Sequence, residues 1–253
     1  MPFLKTPKRT EPLAKIWNEK AQKCGLRHTV YSVNGDQYTG VWLDNKKHGT
    51  GTQVWKRAGL LYDGDWRRGE RDGRGTLSRW HTDEKEYKKV YHGGWKNNKM
   101  DGFGTYFYTR SSYYEGGWKE GRRSGWGRMQ YESGDVYQGQ WLQDQENGQG
   151  MLCLANKNRY EGGWKDGKRD GHGKFFFLDR GQLYEGFWVD GVAKCGTVSD
   201  FGRDEAPQPG TYPIPEICLS DVKSVLTEAR SSCVRSVNAG GQSSSRVSTL
   251  TPT

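Results

Sequence analysis

The residues best suited to chemistry in this chain are glycines, and they come in pairs. Gly-x-Gly begins at Gly49, Gly73, Gly102, Gly125, Gly148 and Gly171, and such a pair can cradle a phosphate where a strand turns into a helix. Here the residues that follow alternate at period two, so each pair opens a β-strand, and the pair recurs six times. A nucleotide loop does neither. The histidines (His28, His48, His81, His92, His172) do not cluster, and His48 and His172 stand beside repeat glycines. Cys24, Cys153, Cys195, Cys218 and Cys233 are odd in number and lack C-x-x-C spacing. They read as reduced thiols of an intracellular protein rather than a disulfide frame or zinc site. No Gly-x-Ser-x-Gly elbow, His-Glu-x-x-His helix or paired carboxylates occur. The sequence predicts no catalytic residue, no cofactor and no metal.

The elements that position those glycines are repeats. Tyr-x-Gly-x-Trp occurs seven times: Tyr38, Gly40, Trp42; Tyr62, Gly64, Trp66; Tyr91, Gly93, Trp95; Tyr114, Gly116, Trp118; Tyr137, Gly139, Trp141; Tyr160, Gly162, Trp164; and Tyr184, Gly186, Trp188. The intervals are 24, 29, 23, 23, 23 and 24 residues, and seven of the 11 tryptophans occupy this one slot. Gly-x-Gly begins seven residues after each Trp except the last, where Cys195-Gly196-Thr197 stands, as befits a terminal, atypical repeat.

Each unit reads as a hairpin. Tyr, Gly and Trp lie two apart and so share one face of a strand. Asn45, Gly69, Asn98, Gly121, Gly167 and Gly191 follow their Trp where a tight turn needs φ > 0; the fifth copy, near Gln145, has neither residue type. The second strand runs Gly, Gly, apolar, apolar at period two, as in Gly102, Gly104, Tyr106, Tyr108. Glycine weakens a strand unless something approaches closely, and the expected visitors are Trp and Tyr rings of neighbouring strands. Fourteen strands at about 4.8 Å make a single layer roughly 65–70 Å long, with two open edges. The longest interval places five extra residues at 78–89, read as a loop carried on the array.

Composition agrees with a thin sheet. Only 32% of the 253 residues are hydrophobic, while Gly numbers 36 and Tyr 14. The net charge of +9 favours acidic partners without choosing among them. A row of basic residues follows the tryptophans on one long edge: Lys46, Lys47, Arg67, Arg68, Lys96, Lys99, Arg122, Arg123, Lys168 and Arg169. Such an edge is either merely solvated or suited to acidic phospholipid headgroups. Nucleic acid is disfavoured as a partner, because the aromatics occupy slots the fold itself needs.

The flanks differ. Residues 1–27 form a basic segment with an amphipathic helix over 13–24, whose role is either to cover the first sheet edge or to dock a partner. Residues 28–203 hold the array. Residues 204–253 hold a Pro-containing connector, a short helix near 221–230 and a Ser/Thr-rich tail of disordered composition. The N-terminus lacks a secretory apolar core, and no apolar run approaches the ~18 residues of a membrane span.

The unit Tyr-Glu-Gly-Gly-Trp-Lys-Asp-Gly-Lys-Arg-Asp-Gly-His-Gly at 160–173 resembles the MORN repeat, the membrane occupation and recognition nexus motif. The resemblance covers roughly residues 30–200. It implies an all-β fold, an elongated single-layer antiparallel meander of seven MORN hairpins, used for contact with proteins or lipids. It further implies a scaffold or adaptor of cytoplasmic sperm or ciliary assemblies, acrosomal, vesicle-associated or axonemal, whose exposed aromatic face recruits other proteins. A terminal sheet edge offers a route to a homodimer.

Overall fold

The computed structural model describes residues 13–202 and 207–214. One helix, α1 (Leu13–Lys20), precedes fifteen strands: β1 (Gly25–Tyr31), β2 (Gln37–Leu43), β3 (Lys46–Trp55), β4 (Leu60–Arg67), β5 (Glu70–His81), β6 (Glu86–Lys96), β7 (Lys99–Phe107) and β8 (Tyr113–Lys119). These continue as β9 (Arg122–Gln130), β10 (Val136–Leu142), β11 (Gln145–Cys153), β12 (Arg159–Lys165), β13 (Lys168–Phe177), β14 (Gln182–Val189) and β15 (Val192–Asp200). Every strand pairs antiparallel with its sequence neighbour, and the sheet order is the chain order. The expected meander is present, with one strand more than the repeat count requires. β1 lies ahead of the first tyrosine and pairs with β2.

Seven two-residue turns join the strands of the seven hairpins. Both central residues have positive φ in each: 47° and 61° at Asp44-Asn45, 52° and 94° at Arg68-Gly69, 48° and 66° at Asn97-Asn98. This is the type I′ geometry that matches strand twist. In the fifth hairpin the turn is Gln143-Asp144, with φ 50° and 72°, and Gln145 already belongs to β11. The turns are also stitched to one another. The second turn residue donates its N–H to the carbonyl five residues after the preceding Trp: Gly69 to Lys47, Asn98 to Arg71, Gly121 to Met100, Asp144 to Arg123, Gly167 to Glu146 and Gly191 to Arg169, at 2.8–3.2 Å.

Two expectations change. The extra residues at 78–89 do not form a loop. They lengthen β5 and β6, which remain paired out to His81↔Glu86, and Trp80 meets Tyr87 edge-on at 5.1 Å. The helix ends at Lys20 rather than near Cys24, and it leaves Leu13 and Trp17 72% and 70% exposed. Leu13 and Trp17 therefore do not cover the first edge, while Ile16 is half-buried. The segment after it is fixed instead by Asn45, whose side chain donates to the Glu19 carbonyl (3.3 Å) and accepts from the Lys23 N–H (2.6 Å). The second helix expected near 221–230 and the Ser/Thr-rich tail lie outside the described residues.

Candidate functional site

A single-layer sheet has two faces, and these two are built differently. The first, here the ring face, carries Tyr, Gly and Trp of every repeat. Each tyrosine ring stands edge-on to its own tryptophan and to that of the next repeat, giving one alternating chain from Trp42 to Tyr184. Centroids are 5.1–5.6 Å apart. That edge-to-face order suits ring quadrupoles. Tyr62, Tyr91, Tyr114, Tyr137 and Tyr160 are fully buried.

The glycines make this possible in two ways. Gly93 and Gly104 face each other across β6 and β7, and the Tyr91 ring lies over both. A Cβ on Gly104 would come within 2.2 Å of the Tyr91 hydroxyl, and one on Gly93 within 2.4 Å of the Gly104 Cα. The same cross-strand pair recurs under Tyr38, Tyr62, Tyr114, Tyr137 and Tyr160. The slot on the second strand is thus filled, as expected, by a ring of the neighbouring strand, the repeat's own tyrosine. The first glycine of Gly-x-Gly has another task. Gly102, Gly125 and Gly171 have open space where a Cβ would be, but φ of 87°, 78° and 85°, at a bulge where the register shifts between the Tyr-x-Gly glycine and the Trp.

Hydrogen bonds close the system. The hydroxyls of Tyr38, Tyr62, Tyr91, Tyr114, Tyr137 and Tyr160 donate to the carbonyl just before their Trp, at 2.9–3.1 Å. Trp66, Trp95, Trp118, Trp141 and Trp164 donate from Nε1 to the second Gly-x-Gly glycine of the preceding repeat, Gly51, Gly75, Gly104, Gly127 and Gly150, at 2.9–3.3 Å. Among the described residues, the buried Nε1 groups of Trp42, which has no repeat before it, and of Trp188 have no hydrogen-bond partner.

The last hairpin departs from this scheme. Its bulge is one residue shorter, so Gly196 pairs with Gly186, and Cys195 falls beside the glycine slot rather than in it. The Tyr184 hydroxyl turns to the Cys195 carbonyl, 2.9 Å away.

The ten basic residues read as one edge divide between two environments. In four repeats the residue five after the Trp is a cation that folds over the ring chain. Lys47 lies 4.6 Å from the centroid of Trp66, Arg123 4.1 Å from Trp141 and Arg169 5.0 Å from Trp188. Arg71, which the sequence reading passed over, does the same 4.1 Å from Trp95. Burial pushes the Lys47 ammonium down to about 8, against a smaller upward pull from Asp36, and burial also lowers Arg71 and Arg169. These cations seal the ring face. Lys46, Arg67, Arg68, Lys96, Lys99, Arg122 and Lys168 remain exposed along the turns.

The opposite face, here the open face, carries a polar ladder in its middle row. Thr52 Oγ1 donates to Asp63 Oδ1 (2.5 Å), Thr76 Oγ1 meets His92 Nδ1 (2.8 Å), and Lys174 pairs with Glu185 (3.3 Å). Burial lowers His92, helped by Lys89 and Arg74. Beside that ladder the residue between the paired glycines points outward, and in three repeats it or its neighbour is aromatic: Phe103 (49% exposed), half-buried Trp126, and Phe187 (38%). Phe187 packs edge-on to His172 at 5.2 Å.

The chain has laid part of itself on this face. After β15, Phe201 meets Phe176 (6.4 Å between centroids). Further on, the Arg159 guanidinium donates to the Pro207 carbonyl (2.5 Å), the Gly210 N–H donates to Glu161 Oε1 (3.4 Å), and Tyr212 lies 5.6 Å from Trp126. Arg159 is itself held by Glu161 at 2.6 Å and lies 4.2 Å from the Phe176 centroid. Next to Trp126 lies a hollow of about 550 Å³, lined in part by Phe103, Gly117, Lys96, Lys99 and Lys119.

The exposed aromatic face expected from the repeat residues is therefore not the Tyr/Trp face, which is closed. Sequence reasoning missed Phe103, Trp126 and Arg159 because no repeat slot announces them. The signal available was that Phe103 and Trp126 stand between glycines where the other repeats have Thr50, Arg74, Gln149 and His172, and that Arg159 is the one charge in the slot before each repeat tyrosine. Among the described residues no group of three or more His, Cys, Asp and Glu could hold a metal ion, and no helix is long and apolar enough to cross a membrane.

The MORN repeat family model matches residues 38–57, 62–79, 91–112, 114–136, 137–159 and 160–181, six of the seven copies, leaving out the altered last hairpin. Over 230 residues the chain is 60% identical to MORN repeat-containing protein 3 of Xenopus laevis, covering 91% of this chain and 97% of that one. The proteins of the same name from Bos taurus and Mus musculus are 58% and 57% identical over 229 residues, covering 90% of this chain and 95% of each relative.

Proposed function

We propose that this chain, which belongs to the MORN-repeat family, is a non-catalytic scaffold that gathers other proteins on the open face of its sheet. Repeats of this family are modules of protein or membrane contact. The observation that carries the protein reading is the docked segment 207–214: this face already holds an extended polypeptide through an arginine, a carboxylate and an aromatic ring. Aromatic and arginine anchors of that kind are the usual centres of protein interfaces. By resemblance, we place the work in the cytoplasm of sperm or ciliated cells, at acrosomal vesicles or axonemal structures.

The test is crosslinking and immunoprecipitation from ciliated or testicular tissue, with the wild-type chain and Phe103→Glu compared as tagged proteins. A reproducible set of cytoskeletal or adaptor proteins, depleted by the variant, supports the reading. The same set recovered with both chains removes the open face from consideration. Immunolocalisation away from those structures removes the cellular setting.

A second reading, binding of acidic phospholipids, draws on the exposed turn residues Lys46, Arg67, Arg68, Lys96, Lys99, Arg122 and Lys168, since each basic residue near an anionic surface contributes about 1 kcal/mol. It requires salt-sensitive liposome binding that is lost on reversing Arg67, Arg68 and Arg122. Arg123 is unsuited to that test because it seals Trp141.

A further inference from the structure

Two aromatic side chains on the open face depart from the repeat pattern, and they stand close together. Phe103 of β7 and Trp126 of β9 occupy the position between paired glycines that Thr50, Arg74, Gln149 and His172 hold in other repeats. Between them runs β8, which sets the buried Gly117 opposite Phe103. An aromatic, a glycine and an aromatic thus follow one another across three strands. At about 4.8 Å per strand the two flanking residues are roughly 9.6 Å apart. A ring seated midway would be about 4.8 Å from each, within the roughly 4.5–7 Å that aromatic pairs prefer.

Trp126 already holds one ring of this kind. Tyr212 meets it at 5.6 Å between centroids, and the Tyr212 hydroxyl also feels Glu161 and Cys153, of β12 and β11. Toward β8 and β7, Trp126 borders instead the hollow of about 550 Å³. A ring placed there would extend a row that Tyr212 and Trp126 begin and Phe103 ends.

The mouth of the hollow is cationic. Three lysines line it, Lys96, Lys99 and Lys119, against two acids, and one of these, Asp101, accepts from the Glu120 N–H at 3.3 Å. Lys96 and Lys99 face each other across β6 and β7, and Lys119 faces Arg122 across β8 and β9. Like charges directly opposite destabilise a strand pair, so a carboxylate arriving here relieves a repulsion as well as gaining an attraction. Aromatic walls alone would also suit a cation; with these lysines beside them they suit a ring accompanied by negative charge.

We propose, on the reading that the open face gathers proteins, that this slot takes an aromatic side chain from an acidic segment of a partner protein. Its ring lies over Gly117 between Phe103 and Trp126, and carboxylates on the neighbouring residues meet Lys96, Lys99 and Lys119.

Fluorescence anisotropy on the full chain tests this with a labelled peptide, Gly-Asp-Glu-Phe-Asp-Glu-Gly. The wild type is expected to bind it at micromolar concentration and more weakly as salt is raised. A peptide with Ala for Phe, and one with Lys for every acid, should each bind about tenfold less tightly, as loss of an interface anchor does. Phe103→Thr and Trp126→Gln should each weaken binding of the first peptide by about the same factor. Both introduce residues that other repeats carry at this position, Thr50 and Gln149, so far-ultraviolet circular dichroism and melting should hold, which separates a lost slot from a lost fold. Equal binding by wild type and both variants overturns the proposal, as does a preference for the basic peptide or a wild type that binds neither. Phosphatidylserine vesicles bound by wild type and not by Phe103→Thr, with no peptide bound, would give the slot to a membrane and overturn it too. Partners still immunoprecipitated after any such result would leave the open face as a protein surface with a different chemistry in this slot. Their absence would instead remove the scaffold reading itself.

Discussion

At the scale of single residues, each repeat glycine is irreplaceable for its own reason, and the reasons can be separated. Gly104 is required by space: a Cβ there would sit 2.2 Å from the Tyr91 hydroxyl, and the tyrosine would have to leave its slot and its hydrogen bond to the Gly94 carbonyl. Gly102, two residues away, is required by conformation alone, with φ of 87° and nothing within 4 Å. Gly104→Ala should therefore lower stability by about 3 kcal/mol, as overpacking of a closed core does. Gly102→Ala should cost about 1–2 kcal/mol, the penalty of a left-handed alanine. Urea titration of the two variants reads the difference, and equal losses would discard the distinction. The cations over the rings make a second residue-level case. Burial holds Lys47 near 8 in the folded chain, against about 10.4 for a free lysine, so between those values the folded state binds fewer protons than the unfolded one. Stability must then rise with pH through that window. Below it, the folded chain carries the full penalty of a desolvated ammonium, offset in part by the ring face of Trp66. Denaturant midpoints of wild type and Lys47→Met, compared between pH 7.5 and 9.5, should converge as pH rises, because the variant lacks this gain. A constant gap would mean that Lys47 stays charged throughout.

At the scale of the hairpin, what was legible in the sequence is what recurs. The Tyr-Gly-Trp alternation, the turn three residues after each Trp and the paired glycines all follow from period and residue type, because strand geometry admits few alternatives once a Tyr, Gly and Trp must share a face. What escaped was set by partners distant in sequence. Nothing in the single unit says that Trp95 reaches back to the Gly75 carbonyl, or that Arg123 lies over the tryptophan of the following hairpin. Arg122 and Arg123 look alike as letters, yet a strand turns one to water and the other to the rings. Added length alone suggests a loop at 78–89, whereas Trp80 and Tyr87 extend the pairing by meeting edge-on across it. Asp144 shows the hairpin using a residue type less suited to its turn. It occupies φ of 72°, but its carboxylate accepts from the Arg123 N–H at 2.9 Å and its carbonyl from the Arg123 guanidinium at 2.7 Å. Asn45 and Asn98 place the same acceptor in their turns. Asp144→Asn should accordingly hold stability or raise it slightly, since Asn tolerates the left-handed region better. Asp144→Ala, which removes the acceptor, should cost about 1–2 kcal/mol. Thermal melts of the two variants distinguish a turn that needs this acceptor from one that needs only compact residues.

At the scale of the molecule, the array is a one-dimensional stack in which each hairpin touches only its neighbours, so its stability is a sum over units and interfaces. The unit is defined by how the ring chain reconnects, and that makes the size of a deletion matter less than its phase. Removing 114–136 takes out one whole repeat and leaves Tyr91 facing Trp141 where it had faced Trp118. Met100 would then lie at the turn next to Asp144 as it now does next to Gly121. Every strand keeps its faces, because the hairpins on either side have the same register of Gly against Gly. Removing Glu115 alone does the opposite. It brings Tyr114 and Trp118 to an odd separation within β8, and side chains at odd separation point to opposite faces of a strand. One ring must then leave the ring face, breaking the chain Tyr91–Trp118–Tyr114–Trp141 at its middle. The 23-residue deletion should therefore keep a single cooperative melt and the near-ultraviolet circular dichroism of packed rings, with a midpoint lowered by a few degrees. The one-residue deletion should lose much of that ring signal and open β7–β9 to hydrogen exchange. If the larger deletion proved the more damaging, the hairpin with its paired rings would not be the unit of this fold, and a longer-range element would have to hold the sheet together.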